Sequence, residues 1–277
     1  MDETPFTVFG AGGFIGSHIV ALLRRQGRTC RPIYRGSPPE RGASLGHVIY
    51  CIGLTADFRS RPFDTMQAHV GMLTETMAHY RYTSFLYLST TRLYMQMARA
   101  VEDDIIPIHP TNPDQLYNGS KLAGECLCLS LPDPAIRVAR LANVYGTDFS
   151  SQNFLPSIIM DALRTRRVTL RTGLESAKDY IYIDDAAAAL VDIAIAGQER
   201  LYNVGEGRNT SHKEICDLLV AETGCQVDVL PDAPDVVAPV LNTERLRCEF
   251  GFSPRTVAQA LPEVVRRYQQ EWLHDHD

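Results

Sequence analysis

The 277-residue chain has only three lysines among its 27 basic residues, and it lacks the features that define several protein classes. No apolar run approaches the ~20 residues that a membrane-spanning helix needs. The N-terminal stretch MDETPFTVFG is acidic, whereas a signal peptide begins with basic residues. The net charge is −6 and the arginines are scattered, which argues against a nucleic-acid surface. We therefore expect a cytoplasmic protein with a small-molecule substrate and with no membrane or nucleic acid as partner.

The seven cysteines lack the spacing of a metal site or a disulfide framework. They are odd in number and form no paired Cys-x-x-Cys or Cys/His motif. Cys126 and Cys128 are two apart in a predicted helix, where their side chains diverge. We expect reduced, buried thiols and no bound metal. The 45% hydrophobic content is typical of a globular protein with a sizeable core.

The N-terminal segment TPFTVFGAGGFIGSHIVALLRRQGRT predicts a strand, a glycine-rich turn and a helix. After the apolar run Phe6–Phe9, three glycines have the spacing Gly-x-x-Gly-x-x-Gly, at Gly10, Gly13 and Gly16. The first suits a tight turn, the second lets a pyrophosphate approach, and the third lets the helix pack on the strand. The helix N-terminus then offers free N–H groups to phosphates. This pattern predicts a dinucleotide site; the alternative is a glycine-rich turn that binds nothing.

The second predicted strand, within TCRPIYRGS, bears on the choice between NAD and NADP. An acidic residue at its end would bind the ribose 2′-hydroxyl and repel a 2′-phosphate, but Tyr34 stands there and Arg35 follows. Because an arginine can pair with a 2′-phosphate, NADP is favoured; the alternative is a solvated arginine at a strand end. Only GSPPERGASLG separates this strand from the next apolar run, too little for another helix and strand. We expect the outer, adenine side of the sheet to be trimmed.

The stretch LYNGSKLAGE places Tyr117 and Lys121 four residues apart. On a helix these residues share a face, so the phenol and the ammonium can converge on one ligand. With 12 tyrosines in the chain the spacing can also arise by chance. The alternative is a tyrosine at a helix start and a surface lysine, and the pair needs further motifs to be interpreted.

Those motifs occur in a fixed order, namely GAGGFIG, IGL, LSTTRLY, YNGSK, RLANVYG, NFLP and KDYIYIDD. Together they make the chain resemble, over nearly its whole length, the extended short-chain dehydrogenase/reductase superfamily, in its nucleotide-sugar epimerase, dehydratase and reductase branch. The resemblance implies an α/β fold, a Rossmann-type doubly wound parallel sheet with a smaller C-terminal α/β substrate lobe. Residues 1–146 plus 172–204 would form the NAD(P)-binding domain, and residues 147–171 plus 205–277 the substrate-binding lobe.

The resemblance also implies a catalytic triad of Thr90, Tyr117 and Lys121, in which Thr90 lies four residues before Tyr94. Tyr117 would act as general acid or base while a hydride moves between the sugar carbon and nicotinamide. Because a phenol titrates near ~10, the Lys121 cation would be needed to stabilise phenolate. Lys121 would also bind the nicotinamide ribose, and Thr90 would orient the reacting oxygen.

Two sets of binding residues follow from the same resemblance. The cofactor-binding residues would be Gly10, Gly13, Phe14, Ile15, Gly16, Tyr34, Arg35, Ile52, Gly53, Leu54, Ser89, Tyr117 and Lys121. The substrate-binding residues would be Thr90, Thr91, Asn143, Asn153, Phe154 and Lys178. Core packing is the alternative for Phe154. Family members often dimerise through the helix that carries the tyrosine and lysine, and the apolar Leu122, Cys126 and Leu129 permit a homodimer here.

The chain departs from the family pattern beside the predicted triad. Sugar 4,6-dehydratases carry an acidic pair where Thr91 and Arg92 stand, and water elimination needs that acid and base. Epimerisation or ketone reduction is therefore favoured over dehydration. His69 stands where relatives usually have asparagine, and a polar core histidine is the plainer interpretation.

Two expected phosphate contacts are also altered. Lys178 begins a motif that usually begins with arginine, and lysine lacks the bidentate fork. Ala233 stands where many members have a diphosphate-clamping arginine. Another cation would have to replace these phosphate contacts, and the candidates are Arg171, Arg208 and Arg245.

Three functions remain open on this evidence. The first is an NAD(P)-dependent epimerase or 4-ketoreductase acting on a nucleotide-activated sugar. The second is an NAD(P)H-dependent reductase of a non-nucleotide carbonyl substrate, which the altered residues Lys178 and Ala233 favour. The third is a non-catalytic dinucleotide-sensing protein, which the trimmed adenine side favours.

Overall fold

A computed structural model describes residues 3–55, 57–149, 151 and 153–274, with side chains as far as Glu271. The strands of this part of the chain are β1 Phe6–Phe9, β2 Cys30–Ile33, β3 His47–Tyr50, β4 Ser84–Thr90, β5 Ile136–Leu141, β6 Asn143–Tyr145, β7 Arg167–Leu170, β8 Ala177–Tyr182, β9 Leu201–Val204, β10 Asn209–Ser211 and β11 Gln226–Val229. Its α-helices are α1 Phe14–Arg25, α2 Pro62–Met66, α3 Met72–His79, α4 Gln115–Ser130, α5 Phe154–Thr165, α6 Ile183–Ala196, α7 His212–Thr223, α8 Glu244–Phe250 and α9 Val257–His274. A π-helical turn, Gln67–Gly71, joins α2 to α3, and a 3₁₀ turn, Thr91–Tyr94, follows β4.

The central layer is a parallel six-stranded sheet in the order β2-β1-β3-β4-β5-β9. Strands β1 and β3 are buried along their whole length, because helices cover both faces. Helices α1 and α6 pack on one face, and α3 and α4 pack on the other. The predicted Rossmann-type, doubly wound α/β fold is therefore confirmed.

The outer side of this sheet is short. Strand β2 is an edge strand, and the connection from β2 to β3 contains neither a helix nor another strand of the sheet. The prediction that the outer side of the sheet is trimmed is confirmed.

A second core lies beyond the central sheet. It packs α5, α7 and α9 against two small sheets, with the orders β10-β8-β6 and β11-β7. Helix α9 is amphipathic, as the tail sequence predicts, and buries one apolar face in this core. The division of the chain into two lobes stays a prediction. Among the described residues, no helix has the length and apolarity required to cross a membrane.

Candidate active site

The glycine turn between β1 and α1 has the geometry that the sequence predicts. Gly10 has φ +75°, in the region that favours glycine. A Cβ on Gly16 would lie 2.3 Å from the Gly10 carbonyl oxygen, so this position permits no side chain. Gly13 is the residue before α1, and its N–H donates to the Gly10 carbonyl at 3.0 Å. The turn thus brings the start of α1 directly against the end of β1.

The start of α1 fits the phosphates of a dinucleotide. Its first turn contains no acidic residue, and no side chain caps it. Gly13, Phe14 and Ile15 line the adjoining cleft, so the first N–H groups of the helix lie beside the cleft and are not capped by a side chain. Gly53 also lines the cleft, and a Cβ there would make ordinary contacts with Lys121 Nζ at 3.4 Å and His69 Nε2 at 3.5 Å.

The cleft has a volume of 840 Å³ and lies at the carboxyl ends of the central strands, where open α/β sheets bind ligands. It collects most of the predicted site residues. The predicted residues that line it are Gly13, Phe14, Ile15, Gly16, Gly53, Ser89, Thr90, Thr91, Tyr117, Lys121, Asn143, Asn153, Phe154 and Lys178.

Helix α4 presents Tyr117 and Lys121 to the end of β4. Tyr117 is 6% exposed, and its phenol lies close to the hydroxyls of Thr55 and Thr90. The buried Lys121 ammonium donates to the Leu88 carbonyl at 2.8 Å. The three residues of the predicted triad therefore meet in one place.

The charges around the phenol include a cation that the sequence does not predict. Burial raises the pKa of Tyr117 above its usual value, while the hydroxyls of Thr55 and Thr90 and the Arg92 cation oppose that rise. Lys121 donates to the Leu88 carbonyl, and burial lowers its own pKa to about 8. The Arg92 Cζ lies 5.6 Å from the centre of the Tyr117 ring, and the role of Lys121 in stabilising phenolate stays a prediction.

His69 lies in the π-helical turn, and its side chain connects that turn to helix α4. Its Nε2 accepts a hydrogen bond from the Leu54 N–H at 3.1 Å, so the ring proton lies on Nδ1. Nδ1 then donates to Ser120 Oγ at 2.7 Å, and Ser120 donates to the Tyr117 carbonyl at 2.9 Å. Burial lowers the pKa of His69 to about 3, which keeps it neutral. The interpretation as a polar core histidine fits these contacts.

Ser89 has an internal partner. Its hydroxyl donates to Glu125 Oε1 at 2.5 Å, and Glu125 pairs with Arg140 at 2.6 Å. Both charged side chains are almost completely buried. Since the hydroxyl is held by Glu125, the role of Ser89 in cofactor binding stays a prediction.

The opposite wall of the cleft carries the predicted substrate contacts. Asn143 donates through Nδ2 to the Asp179 carbonyl at 2.8 Å. Asn153 immediately precedes α5 and is exposed to the cleft. The Phe154 ring stacks on His212 with centroids 4.2 Å apart, so packing also holds this side chain.

Five predicted cofactor residues lie beside the cleft rather than in its lining. Gly10 shapes the glycine turn, Ile52 packs in the core, and the Leu54 N–H binds His69. The 51% exposed Tyr34 lies over Gly12, whose Cβ position is 3.5 Å from its ring. Arg35 is exposed at the end of β2.

Two of the arginines considered as phosphate ligands have other partners. Arg208 pairs with Glu214, and Arg245 pairs with Asp103. Neither lines the cleft, so neither compensates for Ala233. Arg171 is exposed and also lies outside the cleft lining.

Sequence reasoning missed Thr55 and Asn118. Thr55 follows the IGL motif, and its position just beyond a strand end was the available signal. Asn118 is buried beside Tyr117 in the cleft, and its Oδ1 has no hydrogen-bond partner among the described residues. No sequence pattern distinguishes it from other helix residues.

Comparisons with known proteins agree with this geometry. The profile of the "NAD dependent epimerase/dehydratase family" matches residues 43–205, more than half of the chain. A dTDP-glucose 4,6-dehydratase from Streptomyces griseus is 25% identical over 99% of this chain and 95% of its own. A dTDP-4-dehydro-6-deoxy-D-allose reductase from Streptomyces bikiniensis is 24% identical over 97% of this chain and 96% of its own. The solved structure of RMD from Pseudomonas aeruginosa complexed with NADPH superposes with a TM-score of 0.78 at 22% identity, covering 96% of this chain and 99% of that one.

Proposed function

The chain belongs to the NAD-dependent epimerase/dehydratase family, and we propose that it is an NAD(P)-dependent epimerase or 4-ketoreductase of a nucleotide-activated sugar. The observation that carries the proposal is the convergence of Thr90, Tyr117 and Lys121 in the cleft beside the start of α1. A proton-transfer group and a phosphate-binding helix end thus share one cavity. A protein that only sensed a dinucleotide would not need a proton-transfer group.

The chain's own residues handle the proton. Burial keeps Tyr117 protonated at neutral pH, which suits donation to a carbonyl oxygen during reduction. Thr90 holds the reacting oxygen beside the phenol, and Lys121 binds the nicotinamide ribose. When bound, the nicotinamide supplies or accepts the hydride. Donation by Tyr117 belongs to the reductive half of either reaction.

The residues beside Thr90 favour epimerisation or reduction over dehydration. Dehydration needs an acid and a base next to the reacting carbon, but Thr91 and Arg92 stand there. The nearby carboxylate of Asp114 is held by Arg59 at 2.5 Å. We therefore do not assign a dehydratase activity, although several relatives carry that name.

A sugar substrate is supported by the polar lining of the cleft. Asn118 Oδ1, which has no partner among the residues that the structure describes, matches the hydroxyl groups of a sugar, and Lys178 is available for a diphosphate. The absence of an arginine at Ala233 favours a second candidate, a reductase of a non-nucleotide carbonyl compound. That candidate predicts catalysis without tight binding of any nucleoside diphosphate.

We propose NADP as the preferred dinucleotide because Arg35 is exposed at the end of β2 and no acid stands beside it. Arg35→Asp should weaken NADP binding about tenfold or more relative to NAD, since it replaces a phosphate partner with a like charge. Arg31→Asp, at another exposed position in the same strand, is the matched control. If fluorescence titrations show that each substitution changes NAD binding and NADP binding by the same factor, the proposed preference for NADP is contradicted.

The function is tested by binding and turnover with a defined panel. Thermal shifts are measured with NAD and NADP, each alone and with UDP, dTDP, CDP or GDP and their glucose conjugates. We expect saturable stabilisation by one nucleotide series and a change in nicotinamide absorbance with a sugar or 4-ketosugar of that series. If no nucleoside diphosphate binds while a simple carbonyl compound is reduced, the second candidate replaces the first.

A further inference from the structure

Arg92 is fixed next to the reacting oxygen. It belongs to the 3₁₀ turn that follows β4, and its backbone N–H donates to Thr90 Oγ1 at 3.1 Å. The Thr90 hydroxyl also lies close to the Tyr117 phenol. The end of β4 and the turn that follows it therefore hold the guanidinium near the phenol.

Two aromatic rings support the guanidinium. Its Cζ lies 5.2 Å from the centre of the Phe58 ring and 5.6 Å from that of Tyr117. Stacking of this kind restrains an arginine side chain and leaves the in-plane N–H groups available to a ligand. Arg92 is half-buried and lines the cleft.

The charge of the Arg92 guanidinium bears on what the cleft can bind. Within the described part of the chain, no acid forms an ion pair with Arg92, and the neighbouring Asp114 is paired with Arg59. Lys178 faces the same cleft and likewise has no acidic partner among these residues. Because a partly buried charge without a partner costs free energy, two such cations indicate an anionic ligand.

The diphosphate of a nucleotide sugar is one anionic group that would enter the cleft. Lys178 stands where the family places a diphosphate contact. Arg92 remains after this assignment. It lies two residues after Thr90, whose Oγ1 its backbone N–H contacts, in the turn where the dehydratases carry their acidic pair. Its position therefore corresponds to the part of the sugar next to the reacting carbon.

We propose that Arg92 binds a carboxylate carried by the sugar beside the reacting carbon, so that the substrate is a nucleotide-activated uronic acid. The inference rests on the proposed function and adds its substrate class. A guanidinium fits a carboxylate through two parallel N–H···O bonds, which a hydroxymethyl group cannot replace. The unpaired cation then becomes a specificity determinant against neutral sugars.

The test is a calorimetric titration of the full chain saturated with NAD or NADP. The probes are UDP, UDP-glucose and UDP-glucuronic acid, together with the corresponding dTDP compounds. Wild-type protein should bind the uronic acid about tenfold or more tightly than the neutral sugar, as expected for a charge-assisted bidentate pair. Arg92→Gln should abolish most of that preference, and Arg92→Lys should retain part of it.

Lys178→Gln is the matched control, and it should weaken all three compounds of a series by a similar factor. Dinucleotide binding by each variant verifies that it is folded. Equal wild-type affinity for the neutral and acidic sugars, or an intact preference in Arg92→Gln, overturns the inference. A uniform loss for all three compounds in Arg92→Gln would assign Arg92 to the diphosphate and also overturn it. Binding of the dinucleotide but of no UDP or dTDP compound would instead overturn the proposed function on which the inference rests.

Discussion

At the scale of single residues, the site combines side chains that the sequence predicts with others that it does not reveal. Tyr117 and Lys121 share a helix face, and helical spacing is sufficient to predict that. Thr55 reaches the same phenol from the end of a different strand, which spacing along the chain does not show. The sequence marks His69 as unusual, but only the structure gives its two hydrogen-bond partners.

His69 should make stability depend on pH in acid. Its folded pKa is lowered to about 3, from 6.5 for an exposed histidine, so between these values the unfolded chain binds the extra proton. Stability is therefore lost as pH falls below 6.5, by about 2 kcal/mol between pH 7 and pH 5 from this group alone. Urea denaturation at the two pH values measures the change.

His69→Asn is the matched variant, because an amide can accept from Leu54 and donate to Ser120. Between pH 7 and pH 5, the free energy of unfolding of this variant should fall by about 2 kcal/mol less than that of wild type. Asp179, whose pKa burial raises to about 7, contributes in the opposite direction, but equally in both proteins. The same pH dependence in wild type and variant would mean that His69 is protonated in the folded state.

At the scale of elements, the glycine turn and helix α4 each position one part of the chemistry. The turn directs the start of α1 at the cleft, and α4 carries the proton-transfer group to the end of β4. Both elements contain glycines, but for different reasons. Gly16 is required by the approach of two backbones, whereas Gly119 has no atom closer than 4.0 Å to its Cβ position.

Alanine substitutions separate the two cases. Gly16→Ala places a methyl group 2.3 Å from the Gly10 carbonyl, so it should cost about 2 kcal/mol or more of stability and weaken dinucleotide binding. Gly119→Ala, also within a helix, should stabilise the protein by about 0.5–1 kcal/mol. Thermal denaturation compares them, and similar effects of the two substitutions would refute the packing argument.

The ion pair between Glu125 and Arg140 joins α4 to β5 beneath the active site. Arg140→Met leaves a buried carboxylate without its partner and should cost about 3–5 kcal/mol. Adding Glu125→Leu removes that carboxylate, so the double variant should be more stable than Arg140→Met alone. If the double variant loses as much stability as Arg140→Met and Glu125→Leu lose together, the two residues are not coupled.

At the scale of the whole molecule, the order of motifs was enough to predict the doubly wound sheet, and the short segment after Arg35 predicted its trimmed edge. The first rests on the family resemblance, and the second on the length of the connection. The pairing of Ser89 with Glu125 and of Arg208 with Glu214 was not predictable, because these contacts depend on how distant segments pack. For the same reason the sequence did not indicate that Arg92 lies near the phenol, where the folded chain places it.

The proposed function depends on proton transfer by Tyr117. The most direct measurement is the single-turnover rate of hydride transfer, with bound nicotinamide and the nucleotide sugar that the binding panel identifies. Tyr117→Phe should lower this rate about 10²–10⁴-fold while dinucleotide affinity is retained. Tyr80→Phe, which removes a phenol bonded to the distant Pro39 carbonyl, is the control. A Tyr117→Phe rate within about threefold of wild type would contradict the account, since general acid–base catalysis contributes far more.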